Sequence, residues 1–183
     1  MIERLIMAGA GGQGMMLLGK LLAQIMMEEG RHVSYFPSYG AEVRGGSAHC
    51  HVIYSDEPVH SPIVERANTL VLMNQPSYDR FRARLAPGGL LLLNASLVTE
   101  QAATDGGRVL RAPVTEAAND LGNVKVANIV MLGLYNGVRR FAPADTVLSA
   151  LDRALSGGKA ELREVNHRAY RKGEELAAQA GEG

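Results

Sequence analysis

With 183 residues, the chain is long enough for one domain over residues 1–183 that buries roughly 70% of the surface exposed when unfolded. Lys plus Arg (19) equal Asp plus Glu (19), so charge gives no general attraction to nucleic acid or an anionic membrane, and a neutral balance suits life inside an assembly. The lone Cys50 excludes an internal disulfide framework. The apolar runs 90–93 and 129–134 fall far short of the ~20 residues of a membrane span. Met1 runs directly into an apolar strand without a signal-type segment, so a soluble, cytoplasmic domain is expected.

The first predicted element is a short buried strand, Leu5-Ile6-Met7-Ala8, followed by Gly9-Ala10-Gly11-Gly12-Gln13-Gly14 and a proline-free helix from Met15 to Glu29. Strand, glycine turn and helix are the context in which a G-x-G-x-x-G pattern acquires meaning. Gly9 and Gly11 are expected to make the tight turn and admit a ligand or neighbouring chain, and Gly14 to let the helix approach the strand. The unpaired N–H groups of the helix start suit a phosphate or carboxylate. Leu, Ile and Met cover most of this helix, which predicts burial against more than one layer. Gly30 is placed to end it in the C′ position.

Arg31 to Phe36 reads as the second strand. A dinucleotide-binding domain would carry an Asp or Glu near its end for the ribose hydroxyls, about 20 residues past the glycines. Here the region reads Ser34-Tyr35-Phe36-Pro37-Ser38, and the first acid is Glu42. NAD binding is therefore disfavoured. The segment Ser38-Tyr39-Gly40-Ala41-Glu42-Val43-Arg44-Gly45-Gly46-Ser47 lacks periodicity and concentrates glycine, hydroxyl and charged groups, as functional loops do. Arg44 beside Gly45-Gly46 can bring a planar guanidinium to a carboxylate, phosphate or carbonyl.

From Ala48 to Tyr54 residues alternate, with Cys50 and Val52 on one face and His49 and His51 on the other. No further ligand sits at metal spacing, so the histidines read as structural or partner-facing. Asp56-Glu57-Pro58 is a turn, Val59–Pro62 begins a return, and this section is expected to be antiparallel. Thr69–Met73 and Leu90–Asn94 are continuous apolar strands of the buried parallel kind. Between them lie a helix over Ser77–Leu85 and a turn at Pro87-Gly88-Gly89. After a loop, Val109–Pro113 is a last strand, and Thr115 is placed to cap the next helix. The C-terminal third predicts helices over Ala127–Asn136, Pro143–Leu155 and Glu161–Ala178. Asn128 and Asn136 interrupt the first of these, and a buried amide needs partners, so Asn128 is a packing clasp or a site residue.

The chain lacks a Walker motif, a G-x-S-x-G elbow, the cysteines for a four-thiolate cluster and an apolar carboxylate pair. It carries a binding inventory. Joined at this distance, G-G-Q-G at Gly11–Gly14 and S-Y-G-x-E-x-R-G-G at Ser38–Gly46 resemble the gamma subunit of 2-oxoacid:ferredoxin oxidoreductases. The resemblance continues through Ser61-Pro62, Gly88-Gly89, Ala127-Asn128, Leu132-Gly133, Asn166, Ala169 and Gly173. The Ser38–Gly46 motif is closer to the 2-oxoglutarate and branched-chain members than to the pyruvate members. Asn68 departs from the acid many relatives carry there.

The resemblance implies a three-layer α/β/α domain with a Rossmann-like mixed sheet, a parallel core and an antiparallel section. It also implies alpha and beta partner subunits, sometimes a delta subunit, and ferredoxin as acceptor. The assembled enzyme decarboxylates a 2-oxoacid, here 2-oxoglutarate, using thiamine diphosphate, [4Fe–4S] clusters and coenzyme A. Only Asp105-Gly106-Gly107 is similar to a diphosphate motif, without an Asn downstream, so this chain is expected to bind no cofactor alone and to be inactive in isolation. The implied contact residues are Gly9, Gly11, Gly12, Gln13, Gly14, Ser38, Tyr39, Gly40, Glu42, Arg44, Gly45, Gly46 and Asn128. They would face coenzyme A, the substrate entrance or neighbouring subunits. The second reading is a stand-alone Rossmann-like nucleotide binder or oxidoreductase.

Overall fold

The computed structural model describes residues 1–38, 47–100, 104, 106–155 and 160–181, in two compact units, Met1–Ala112 and Pro113–Gly183. In the first unit, β1 (Ile2–Ala10), α1 (Met15–Glu28), β2 (His32–Ser38), β3 (Ser47–Ser55), β4 (Ala67–Leu72), α2 (Gln75–Phe81), β5 (Leu85–Asn94) and β6 (Arg108–Ala112) follow in order. The second unit holds α3 (Val114–Asp120), α4 (Ala127–Arg139), α5 (Ala144–Ala154) and α6 (Ala160–Gly181).

The sheet order is β2-β3-β1-β4-β5-β6. β1, β4, β5 and β6 pair in parallel, while β3 runs antiparallel between β1 and β2. The fold is therefore α/β with the expected antiparallel section. Alternation along β3 decides which helix covers which face. Cys50 and Val52 lie under α1, where a Cβ on Gly19 would collide with the Cys50 sulfur and press on the Tyr35 ring. His49 packs on the opposite side against Phe81 of α2, its ring centroid 4.8 Å away. The α2-side core is built from Ile6, Ala8, Ile53, Leu70, Leu72 and Leu91, all buried.

Local chemistry explains where elements end, and in places corrects the sequence reading. Gly30, at φ 75°, closes α1 with Gly30 N–H on Met27 O and Arg31 N–H on Met26 O, both 3.0 Å, a Schellman pattern. Asn74 caps α2 by accepting from Ser77 N–H at 3.1 Å, so that helix starts at Gln75 and gives way to a 3-10 turn over Arg82–Arg84. Pro87-Gly88-Gly89 is not a free turn but an irregularity inside β5, whose pairing with β4 shifts register there. The stretch after Pro58 forms no return strand. Thr115 is no cap, because α3 already begins at Val114 with Pro113 in the cap position.

In the second unit, α4 and α6 cross at glycines. A Cβ on Gly133 would fall onto the Tyr170 carbonyl, and one on Gly173 onto the Val130 carbonyl. Asn136 is the clasp of this unit. Its amide donates to Ala142 O at 3.0 Å and to the Tyr170 hydroxyl at 2.7 Å, and accepts from Ala142 N–H at 3.3 Å. Burial, more than the opposing Asn136 hydrogen bond, raises the Tyr170 pKa, and Glu174 adds to the rise.

Candidate functional site

The parallel strands β1, β4 and β5 end on one edge of the sheet, and the Gly9–Gly14 turn leaves that edge. In open α/β sheets ligands are taken beyond the carboxyl ends of the strands, where successive connections go to opposite faces. β1 and β4 meet that condition, since α1 and α2 lie on opposite faces. The antiparallel section adds to the same edge. Ala10 pairs with Ser47, and Ser38 pairs with His49, so β2 ends and β3 begins beside the glycine turn. Tyr39, Gly40, Glu42, Arg44, Gly45 and Gly46 lie outside the described residues.

The turn has a shape enforced by a side chain. Gln13 N–H donates to Ala10 O at 3.1 Å, while Gln13 Oε1 accepts from Ala10 N–H at 2.6 Å. Gln13 Nε2 reaches Met73 O at 3.4 Å. The same carbonyl accepts from Asn94 Nδ2 at 3.0 Å, and Met73 N–H donates to Ala8 O at 2.9 Å. Asn94 Oδ1 accepts from Ser96 N–H at 3.2 Å. The side-chain amides of Gln13 and Asn94, meeting at one carbonyl, therefore lock the turn to the ends of β4 and β5.

The turn glycines can be placed individually. Gly12 and Gly14, at φ 90° and 73°, make the turn. Gly9 makes the close approach: its Cβ would stand 2.6 Å from Gln13 Oε1 and 3.0 Å from both Met15 Cγ and Met73 Cβ. Gly11 and Gly12 are exposed, and no side chain caps the first turn of α1. The edge thus offers main-chain donors, which suits an anionic or carbonyl group. Sequence reading missed Asn94 and the Met73 carbonyl. The readable signal was an amide ending an otherwise apolar strand.

The remaining candidates fall elsewhere. Asn128 is in the second unit, buried in the first turn of α4. The histidine pair packs together at 5.7 Å between ring centroids. His51, 5% exposed, accepts from Val64 N–H through Nδ1 at 3.1 Å, which places its proton on Nε2. Burial first, then Arg84 and His49, lower its pKa to about 4. Arg84 donates to Val64 O, and its Nε to Glu65 O at 3.1 Å. The pair therefore pins the segment before β4. Burial pushes the Cys50 thiol up to about 12, so it is no thiolate ligand. Among the described residues no three His, Cys, Asp or Glu could hold a metal ion, and no helix is long and apolar enough to cross a membrane. These donor sets do not fit an iron–sulfur cluster.

α1 is less enclosed than its composition suggests. It covers the sheet on one side, but Leu17 and Met27 on its outer side are 38% and 65% exposed. An α/β unit with a locked glycine turn at the switch point of a mixed, mostly parallel sheet has a Rossmann-like fold. The chain belongs to the family described as pyruvate ferredoxin/flavodoxin oxidoreductase, whose model matches residues 4–176.

Three relatives sharpen this. The chain is 36% identical over 182 residues to the ketoisovalerate oxidoreductase subunit VorA of Methanothermobacter thermautotrophicus, covering 98% of itself but only 37% of that protein. It is 30% identical over 180 residues to the 2-oxoglutarate synthase subunit KorC of Methanocaldococcus jannaschii, covering 97% and 95% of the two chains. The crystal structure of the keto/oxoacid ferredoxin oxidoreductase gamma subunit from Geobacter sulfurreducens is 30% identical with a TM-score of 0.83, over 97% of this chain and 99% of that one. The chain thus spans little more than a third of the first curated relative's length, and nearly all of a separate gamma-type subunit.

Proposed function

We propose that the chain serves as the gamma component of a 2-oxoacid:ferredoxin oxidoreductase, with 2-oxoglutarate as the substrate of the assembled enzyme. One observation supports this reading: the glycine turn at the sheet edge leaves Gly11 and Gly12 exposed, while the Gln13 and Asn94 amides hold the turn in place from within. Enzymes of this family work with thiamine diphosphate, iron–sulfur clusters and coenzyme A. Cys50, buried and protonated, leaves the clusters to alpha, beta or delta partners. The chain's contribution is subunit contact and the approach of coenzyme A or substrate, with the exposed Gly11-Gly12 backbone and Arg44 as the groups toward an anion. The higher identity to a ketoisovalerate subunit favours a branched-chain 2-oxoacid as the second reading.

Co-expression with candidate alpha and beta chains from the same genome tests the proposal. The expected product is a stable complex that reduces ferredoxin or a viologen dye with a 2-oxoacid, and that needs thiamine diphosphate and coenzyme A. The chain alone should be inactive. Activity from the isolated chain, or full activity of the other subunits without it, sinks the reading. Relative kcat/KM for 2-oxoglutarate and 3-methyl-2-oxobutanoate separates the two substrate readings.

A further inference from the structure

A side-chain amide has one accepting oxygen and one donating nitrogen, so its partners fix which way round it stands. Gln13 and Asn94 are both fixed in this way, and they meet at the Met73 carbonyl. Gln13 Oε1 accepts from Ala10 N–H at 2.6 Å, and its Nε2 reaches Met73 O at 3.4 Å. Asn94 Nδ2 donates to the same oxygen at 3.0 Å, and its Oδ1 accepts from Ser96 N–H at 3.2 Å. Ala95 N–H, between them, donates to Ala112 O at 2.8 Å. The brace therefore runs across the carboxyl ends of β1, β4, β5 and β6. Met73 and Asn94 are fully buried, Gln13 is half-buried, and Gly11 and Gly12 are exposed.

Both polar atoms of the Gln13 amide are thus engaged by the protein itself, and the exposed part of the turn is main chain. Asn94, being fully buried, reaches a molecule at the turn only through the Met73 carbonyl. A backbone that has to be ordered before it can bind gives up affinity to conformational entropy. We infer that Gln13 and Asn94 are positioning residues that hold the Gly11-Gly12 backbone ready for its binding partner, a step that rests on the turn being the surface proposed to meet coenzyme A or a neighbouring subunit. Gln13 braces the turn and does not touch what binds there. An amide is needed at both places, because a carboxylate of the same shape keeps the accepting oxygen but cannot donate to Met73 O.

The test joins amide exchange in the chain alone to the kinetics of the assembled complex, using Gln13→Met, Gln13→Glu and Asn94→Asp. Gln13→Met removes the acceptor of Ala10 N–H, which should exchange at least about fivefold faster while Leu70 and Val71 in β4 keep their protection. In the complex, both Gln13 variants should raise the KM for coenzyme A or the subunit dissociation constant about fivefold, with kcat at saturation changed less than about twofold. Asn94→Asp should act in the same direction, and if this buried change prevents folding, the half-buried Gln13 position decides. Unchanged exchange at Ala10 in Gln13→Met, or native binding in Gln13→Glu, overturns the inference. So does weakened binding in Gln13→Met beside native binding in a folded Asn94→Asp, which would make Gln13 a direct contact. Gly12→Ala distinguishes the two levels: weakened binding there with native binding in Gln13→Met overturns the positioning role alone, and native binding in both overturns the sheet-edge surface as well.

Discussion

At the sheet edge of the first unit, glycine keeps space empty. Gly12 turns the chain at φ 90°, and a Cβ there would meet nothing within 4 Å. In the second unit, glycine lets space be filled: Gly133 and Gly173 allow α4 and α6 to pack backbone against backbone. Both sets belong to the pattern that carried the family resemblance, yet only the first leaves a surface for another molecule. A shared glycine therefore marks a site only when the room beside it is open.

The largest expected effect separates these roles. Gly133→Ala or Gly173→Ala puts a methyl group into a main-chain carbonyl that cannot move without separating the helices. Overpacking of that kind should cost about 3 kcal/mol or more. Urea denaturation should show a large fall in midpoint for either variant. A loss below about 1 kcal/mol would mean that the two helices are not held at this distance.

Next comes His51, whose neutral ring is built into the α2-side packing. Its folded pKa of about 4 lies below the ordinary 6.5, so below pH 6.5 the unfolded chain binds a proton that the folded chain refuses. Stability should fall as pH drops from 6.5 to 4, by an amount of order 2 kcal/mol, and this loss should level off below the folded pKa. Protonation also removes the acceptor for Val64 N–H. His51→Gln should flatten the slope in that window. An unchanged slope in the variant would assign the acid sensitivity to other groups.

The sequence made the parallel core readable because Leu70–Met73 and Leu90–Leu93 are apolar throughout, as strands covered on both faces must be. It made the antiparallel section readable through the alternation around Cys50. It could not show that Gly9 makes a close approach, because that follows from where Gln13 folds back. Nor could it show that β5 starts at Leu85, since Pro87-Gly88-Gly89 has the composition of a turn and is held in the sheet by β4. The amide lock was half visible: Gln13 stood inside the motif, while Asn94, 81 residues later, is joined to it only through the Met73 carbonyl.

A smaller effect tests the open turn. Gly12→Ala meets no steric neighbour but must hold a positive φ, which should cost about 1 kcal/mol in the chain alone. If the edge receives a partner or coenzyme A, the methyl group should lower subunit affinity or raise the KM for coenzyme A beyond that modest loss. Native assembly and kinetics in Gly12→Ala would show that nothing approaches the turn closely.

The smallest effect is expected at Asp152, between α5 and α6. Its carboxylate accepts from Arg163 at 2.5 Å and from His167 Nε2 at 2.8 Å. Burial pushes its pKa up, but the hydrogen bonds and charges of Arg163 and His167 outweigh that and hold it below the ordinary value. A depressed carboxyl pKa stabilises the fold above the unfolded value, near pH 4, and the contribution disappears as pH falls through the folded value. The window is thus more acidic than that of His51. The Arg163 side chain is 65% exposed, so solvent screens the pair and Asp152→Asn should cost less than about 1 kcal/mol at pH 7. Parent and variant should converge once the pH has fallen through the depressed folded value, where the parent carboxyl is also neutral. A difference that persists there would make Asp152 a packing residue whose charge is incidental.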